Sequence, residues 1–487
     1  MMTQSTNTKY RENGTRGNYY FQFLVMLTAT LSSICGGMQH GWSSPSLPQL
    51  LSNTSTIQVT SEEGSWAAVM SLIGAVGGSP VAVLILDVIG RKKVILLSCM
   101  PHIIAWIMIA YAKSIETIFS ARFIAGISNG LIVTTLIMYL GEIADPKVRG
   151  ALCSSVPVTW IFGIFLINLI GSYLSIKTTA LISLALPLLC LITFVWMPES
   201  PYYLIMKGNI QQASANLKTL KRMDNVRPDL EKMITAVKKQ KENSGRYLDL
   251  FTVESHRKAF VIAIILRLTQ QFSGISAITF YAQIIFEEAG SLSILSAREA
   301  SLVYFAIEII LCVCCSMTVD RVGRRPLLVI SLIGVGFSLL IEGSYFYLLD
   351  ECNIDLNNFK WVPLVALIGY VIFFSLGMEP VLAAILSEIF PINVKPFALC
   401  LVEICCCLSA TGASKFFQIT KDSFGLYVPF FSFSVVAVLA LIFIILFVPE
   451  TKGKTLEEIQ DELKGLKVKS DKECTEMLES FKIFPDL

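Results

Sequence analysis

The chain has 487 residues, 54% hydrophobic and only 16% charged, with a mean hydropathy of +0.64 and a net charge of +2. A soluble chain is about a quarter charged, so the composition excludes a soluble enzyme, a disordered protein and a nucleic-acid binder. Twelve membrane spans of ~20 residues use about 240 positions, which matches the apolar excess.

In chain order, residues 1–19 form a polar tail with no small-residue cleavage pattern, so no signal peptide is expected. Apolar runs then predict spans near 20–41, 65–86, 93–112, 118–140, 151–174 and 178–197. A polar stretch, 198–257, reads as short amphipathic helices capping one face rather than as an enzyme domain. Six further spans follow near 258–281, 301–319, 327–349, 361–386, 397–419 and 425–448, and a tail over 449–487. The fold class is therefore all-α and integral to the membrane, with six-helix bundles over 20–197 and 258–448. Cys312, Cys314, Cys315, Cys405, Cys406 and Cys407 sit inside these runs, where thiols act as small hydrophobes. Only Cys352 falls in a polar loop expected outside, so no disulfide framework is expected.

An even number of spans puts both termini on one side. Most loop lysines and arginines share that side, whereas the opposite loops hold only Lys113, Lys177, Arg298, Lys360 and Lys421. The positive-inside rule makes the termini and the 198–257 segment cytoplasmic. Asn53-Thr54-Ser55 is then a glycosylation sequon in the first outside loop, while Asn13-Gly14-Thr15 lies in the cytosol, where it is inert.

Three cytoplasmic motifs occur twice. Asp87-Val-Ile-Gly90-Arg91-Lys92 returns as Asp320-Arg-Val-Gly323-Arg324-Arg325, Glu142 to Arg149 returns as Glu388 to Lys395, and Pro198-Glu199-Ser200 returns as Pro449-Glu450-Thr451. Two six-span halves sharing one plan are the mark of a carrier with its site between the halves. The motifs are mechanical. Glycine permits a tight turn, and Arg forks hold carboxylates. Arg91 with Glu142 and Arg149, and Arg324 with Glu388 and Lys395, are expected to form an ionic lattice. It would latch the outward-open state and release as the halves rock.

These residues, with Arg122-Phe-Ile-Ala-Gly126, Gln270-Gln271-Phe-Ser-Gly274 and Pro449-Glu-Thr-Lys-Gly-Lys-Thr455, resemble the sugar porter family of the major facilitator superfamily over nearly the whole chain. Gly41-Trp42-Ser-Ser-Pro45 and Met197 to Gly208 look most like the arthropod facilitated trehalose transporter branch. The resemblance implies alternating access at the plasma membrane, uniport in animals and proton symport in many microbes and plants. It implies a sugar held at mid-membrane mostly by the second half, with no cofactor and no metal. Its partners are then the sugar and the lipid bilayer; no nucleic acid or obligate protein partner is implied. Gln270 and Gln271 stand where the family hydrogen-bonds sugar hydroxyls, and an amide offers both donor and acceptor. The family's span-7 asparagine is Ser276 here, and of its tyrosine pair only Tyr281 remains, beside Phe280. The span-10 tryptophan aligns with Ala383 and the span-11 tryptophan with Cys407, so two stacking surfaces are missing. Symporters of the family carry an Asp on span 1, where this chain reads Gly37-Met38-Gln39-His40; Gln39 cannot titrate, which favours facilitated diffusion. A proton symporter acting through His40, Glu308 or Glu379, and a nontransporting sensor, are the rivals.

The second half also carries Arg267, Glu308, Glu379 and Glu403 at comparable depth within spans. A mid-membrane charge costs at least ~2.5 kcal/mol, so such residues face a cavity or a partner. The expectation is that Arg267 pairs with Glu308 or Glu379 near the binding site, with a purely structural bridge as the alternative, and that Glu342 sits near the outer interface.

Overall fold

The computed structural model describes residues 19–53, 55–145, 147–223, 225–242, 248–289, 295–315, 323–352, 354–390, 394–450, 452, 458 and 459. Within these, the apolar runs form helices that cross the molecule twelve times. Spans 1 to 6 are Tyr20–Gly41 continued by Ser43–Leu51, then Ser61–Ile89, Arg91–Ala110, Ile115–Ile143, Arg149–Tyr173, and Ile176–Ser183 with Ala185–Phe194. Spans 7 to 12 are Glu254–Phe272 with Ile275–Glu288, then Ala297–Cys315, Arg324–Asp350, Val362–Ile389 (interrupted), Lys395–Phe424 and Tyr427–Phe447. Eleven of the described spans are long and apolar enough to cross a membrane on length and hydropathy alone. The remaining one, Ala297–Cys315, carries Arg298, Glu299 and Glu308 and still packs in sequence as span 8. A belt of outward-facing apolar side chains, among them Leu27, Leu84, Ile192, Phe337 and Leu439, surrounds the helices. On a water-facing protein such a belt would be an aggregation surface; here it is the lipid face.

Small residues set how closely the spans approach. A Cβ on Gly74 would lie 2.1 Å from the Phe123 carbonyl oxygen, and one on Gly126 2.1 Å from that of Ser71. Spans 2 and 4 therefore touch backbone to backbone, the packing that small residues allow where no hydrophobic force drives helices together. Spans 1 and 5 do the same, since a Cβ on Gly37 would meet the Trp160 carbonyl at 2.0 Å.

Two spans of the second half are broken. Span 7 stops at Phe272 and restarts at Ile275 through Gly274, whose φ of +94° favours glycine and whose missing Cβ leaves room for the Phe433 ring. Span 10 runs as α-helix over Val362–Phe373, as π-helix over Phe374–Met378, and as α-helix again over Glu379–Ile389. The Ser331 hydroxyl of span 9 accepts the Met378 amide that this insertion frees.

The halves meet through spans 2 and 11, 5 and 8, and 1 and 7. One apolar core fills the second half and reaches into the first through Leu47, Ala68, Val69, Leu72 and Ile164. The other first-half clusters, around Val25, Leu136 and Tyr139 and around Trp42, Trp106 and Ile167, belong to that half alone. After span 6 the helices Pro201–Met206, Ile210–Lys221 and Arg227–Glu242 lie against the face that carries the termini. Lys221 clips them there through Asp145 at 3.0 Å and Asp229 at 2.6 Å.

Candidate functional site

The duplicated motifs fold into duplicated geometry. In the first half Gly90, at φ +101°, turns the chain from span 2 into span 3. Arg91 then pairs with Asp87 at 2.9 Å and Glu142 at 3.1 Å. Glu199 turns back to accept the Lys92 backbone amide at 3.1 Å, and Ser200 donates to Glu142. In the second half Gly323, at φ +114°, makes the same turn, and Arg324 pairs with Glu388 at 2.8 Å. Glu450 accepts the Arg324 and Arg325 amides, each at 3.0 Å. Glu199 and Glu450 thus place a carboxylate on the exposed amides at the starts of spans 3 and 9, where a helix presents its positive end. The sequence shows these glutamates as a repeat; their capping role needs the fold.

Several expectations change. The ion pairs above close within each half. Among the described residues Arg149 joins no carboxylate; its guanidinium donates to the Ala144 carbonyl at 3.5 Å. Lys395 lies close enough to Glu388 to feel its charge, and Asp320 falls outside the described residues. Arg267 pairs with neither Glu308 nor Glu379. It reaches Glu403 at 3.5 Å and donates to the Gln270 side chain at 2.8 Å. Depth along a helix says nothing about which way a side chain points around it, and Arg267 faces span 11. Glu342, expected near an interface, is fully buried with neither carboxylate oxygen partnered.

The two glutamines lie at the span 7 break. Gln271 donates to the Cys406 sulfur at 3.2 Å and accepts from Ser276 at 2.7 Å. The amide, the hydroxyl across the break, and Arg267 with Gln270 form one polar patch on the second half. Tyr281 stands apart. Its ring stacks on Phe417 at 5.2 Å, and its hydroxyl lies beside Ser65 of the first half. Glu308 on span 8 and Glu379 on span 10 feel each other's charge, and each has a buried carboxylate oxygen without a partner. Ala383 is one turn further along span 10, exposed.

Arg122, named in the sequence only as part of a family motif, anchors the first half. Arg122 is fully buried on span 4. It donates to the Gln39 side chain at 3.1 Å and also to the Gln39 carbonyl, to the Ala67 and Ala68 carbonyls at 3.3 Å, and to Ser71 at 3.1 Å. Its guanidinium stacks over Trp42 at 5.0 Å. A buried guanidinium normally takes a carboxylate; here neutral acceptors and an aromatic face surround it. An Arg inside the apolar run 118–140 was the available signal, but its partner lies 83 residues away. His40, next to Gln39, touches Trp160 at 5.8 Å and, across the halves, Phe280 at 4.9 Å.

The halves are joined by polar contacts on the face opposite the termini. Ser61 donates to Asp422 at 2.6 Å, and Ser65 to Gln418 at 3.1 Å. Lys415 donates to Ser65 at 2.6 Å and lies 4.6 Å over the Trp66 ring. Spans 2 and 11 are closed on this side.

Two packed six-span halves with repeated end motifs and a polar break at mid-depth define a membrane carrier. The profile of the sugar (and other) transporter family matches residues 18–463. The facilitated trehalose transporter of Bombyx mori is 32% identical over 469 residues, covering 94% of this chain and 91% of that protein. That of Apis mellifera ligustica is 31% identical over 464 residues, covering 92% and 89%. Among solved structures, the proton:xylose symporter XylE bound to 6-bromo-6-deoxy-D-glucose superposes with TM-score 0.74 at 25% identity, covering 92% of this chain and all of that one. The inward open form of XylE from E. coli gives 0.76 at 24%, covering 91% and 99%. The chain belongs to the sugar transporter family: it is a multi-pass membrane transporter and not an enzyme.

Proposed function

We propose that the protein carries trehalose or a hexose across the plasma membrane by facilitated diffusion, with the termini in the cytosol and Asn53 glycosylated outside. The observation that carries the uniport reading is the Gln39–Arg122 contact. A carrier that uses a proton as fuel needs a group on the transport path that gains and loses it. At this central buried cation the chain supplies a neutral amide. The trehalose reading is supported by the named activity of the silk-moth and honeybee relatives.

In this reading Gln270, Gln271 and Ser276 present donors and acceptors to sugar hydroxyls, with Glu308, Glu379 and Ala383 on the facing wall and Tyr281 at the outer seam. Ion pairs at the termini face hold each half rigid while the halves rock: Asp87, Arg91 and Glu142 in one, Arg324 and Glu388 in the other. Arg149, Lys395 and Asp320 belong to the same network in this reading.

Uptake of a labelled sugar panel including trehalose, with and without a proton uncoupler, tests the reading. Saturable uptake insensitive to the uncoupler is expected. Accumulation abolished by the uncoupler would establish symport instead, and no uptake by protein shown to reach the surface would favour a sensor.

A further inference from the structure

The second half holds a group of buried polar oxygens without hydrogen-bond partners. Glu308 is 5% exposed, and Tyr304, one helical turn before it on span 8, is fully buried. Span 8 packs on span 10 and on its π-helical turn. Span 10 brings Tyr370, fully buried, Ser375, 1% exposed, and Glu379, four residues after Ser375. Tyr304 lies close enough to Glu308, Glu379 and Tyr370 to feel their charges. The hydroxyls of Tyr304, Tyr370 and Ser375 and one oxygen each of Glu308 and Glu379 are buried without a hydrogen-bond partner.

Unpartnered polar groups of this kind are costly inside a protein, and two neighbouring carboxylates in a low dielectric repel. Among the described residues no cation relieves them. Arg267 is turned onto Glu403 and Gln270. Span 5, which packs on the other side of span 8, has no titratable side chain between Cys153 and Tyr173. On the second segment of span 7, Tyr281 faces Ser65 and Asp422 at the seam, while Glu287 and Glu288 stand at its far end.

We propose that Glu308 and Glu379, with the hydroxyls of Tyr304 and Ser375, bind one small monovalent cation between spans 8 and 10. The donor set is oxygen only, which suits a hard ion rather than a transition metal. The shared chemistry is a single positive charge bridging two carboxylates, which either a sodium ion or a proton supplies. The site shares Glu308 and Glu379 with the proposed sugar wall and in that rests on the reading above; the experiment reads the cation without sugar, so its failure and a failed sugar assignment are distinguishable.

The full-length protein is purified in detergent and two measurements are made. Equilibrium binding of radioactive sodium at alkaline pH is expected to reach about one ion per chain and to weaken about tenfold or more in Glu308→Gln. If the proton is the occupant, sodium does not bind. The infrared band of a protonated carboxyl is then present at neutral pH and is lost in Glu308→Gln or Glu379→Gln. Glu342→Gln identifies the part of that band owed to the isolated acid on span 9. Tyr304→Phe keeps the volume and both carboxylates, so it serves if the glutamine variants do not fold. It should weaken sodium binding several-fold or shift the carboxyl band. Wild-type protein that binds no sodium and shows no carboxyl band traceable to Glu308 or Glu379 overturns the proposal.

Discussion

Lys415 is the sharpest lever on the conformational equilibrium, because two of its contacts cross from one half to the other. Its ammonium donates to Ser65 at 2.6 Å and lies over Trp66 at 4.6 Å, whereas its bond to Gln418 stays within span 11. A charge-assisted hydrogen bond contributes ~1.5 kcal/mol net, and a cation–π contact at a half-exposed site about 0.5–1 kcal/mol. Replacing Lys415 by Ala should therefore remove on the order of 2 kcal/mol from the closed seam, a shift of about 30-fold in the ratio of closed to open states. Ser61–Asp422 and Ser65–Gln418 remain, so the seam weakens without disappearing. Spin labels on Gln58 and Ser423, both exposed and on opposite sides of the seam, report the population by double electron–electron resonance. The wild type should give one short distance. Lys415→Ala should add a longer one, and Lys415→Arg, which keeps the cation over Trp66, should stay near the wild type. An unchanged distribution in Lys415→Ala, from protein that still transports, would refute the argument that these contacts hold the seam.

Four further outcomes follow from the geometry. Gln39→Leu takes an acceptor from the buried Arg122 and should lower stability by about 1–3 kcal/mol, read as thermal unfolding in detergent. Gln39→Asp places a carboxylate there and should make uptake respond to an imposed pH gradient to which the wild type is indifferent. Glu199→Ala and Glu450→Ala each strip the carboxylate from a span's N-terminal amides and should each cost about 1 kcal/mol; a large inequality between them would contradict the structural repeat. The Lys221 clip should be insensitive to pH across the physiological range. Burial opposes the charge on Asp145, but the Lys147 amide and Lys221 outweigh it and hold the carboxyl below its usual range. Burial likewise opposes the Lys221 charge, but Asp229 and Asp145 outweigh it and raise the ammonium. The Asp145 contribution is present above ~3.9 and fades as pH falls below that, while the Lys221 contribution is complete below ~10.4 and fades above it. Hydrogen-exchange protection of Ile210–Lys221, corrected for intrinsic rates, should therefore match at pH 6 and pH 8 and fall in Lys221→Ala. Loss between those pH values in the wild type would count against the clip.

The spans were legible because a bilayer imposes one demand, twenty or so apolar residues, and the chain meets it twelve times even where Glu308 interrupts the pattern. The repeat was legible because Gly90 and Gly323 stand in the same Asp-x-x-Gly-Arg spacing, and both take a positive φ. The breaks were hidden. Gln270 to Ile275 and Phe374 to Met378 read as continuous runs, and only contact with Phe433 and Ser331 shows why the helix yields there. The Arg267 partner was misassigned for a related reason: sequence position gives depth, whereas Glu403 is chosen by direction around the helix.

The two halves share a plan at their ends and differ in the middle, and that difference bears on where the work is done. In the first half, the central charge Arg122 is tied to two spans by backbone carbonyls, Gln39 and Ser71, and stacked on Trp42. At Gly74 and Gly126 spans 2 and 4 touch backbone to backbone. Such a unit has few ways to deform, because each bond lost exposes a buried guanidinium. In the second half, span 7 is cut at Gly274 and span 10 carries a π turn. Unpartnered oxygens of Tyr304, Glu308, Ser375 and Glu379 lie on the facing helices. A broken helix can hinge without losing a regular ladder, and an unpartnered oxygen gains when a ligand arrives. On the proposed reading the first half is the rigid body and the second the part that binds, so substitutions at Gln271 or Ser375 should change binding while those at Arg122 or Gly126 should change folding.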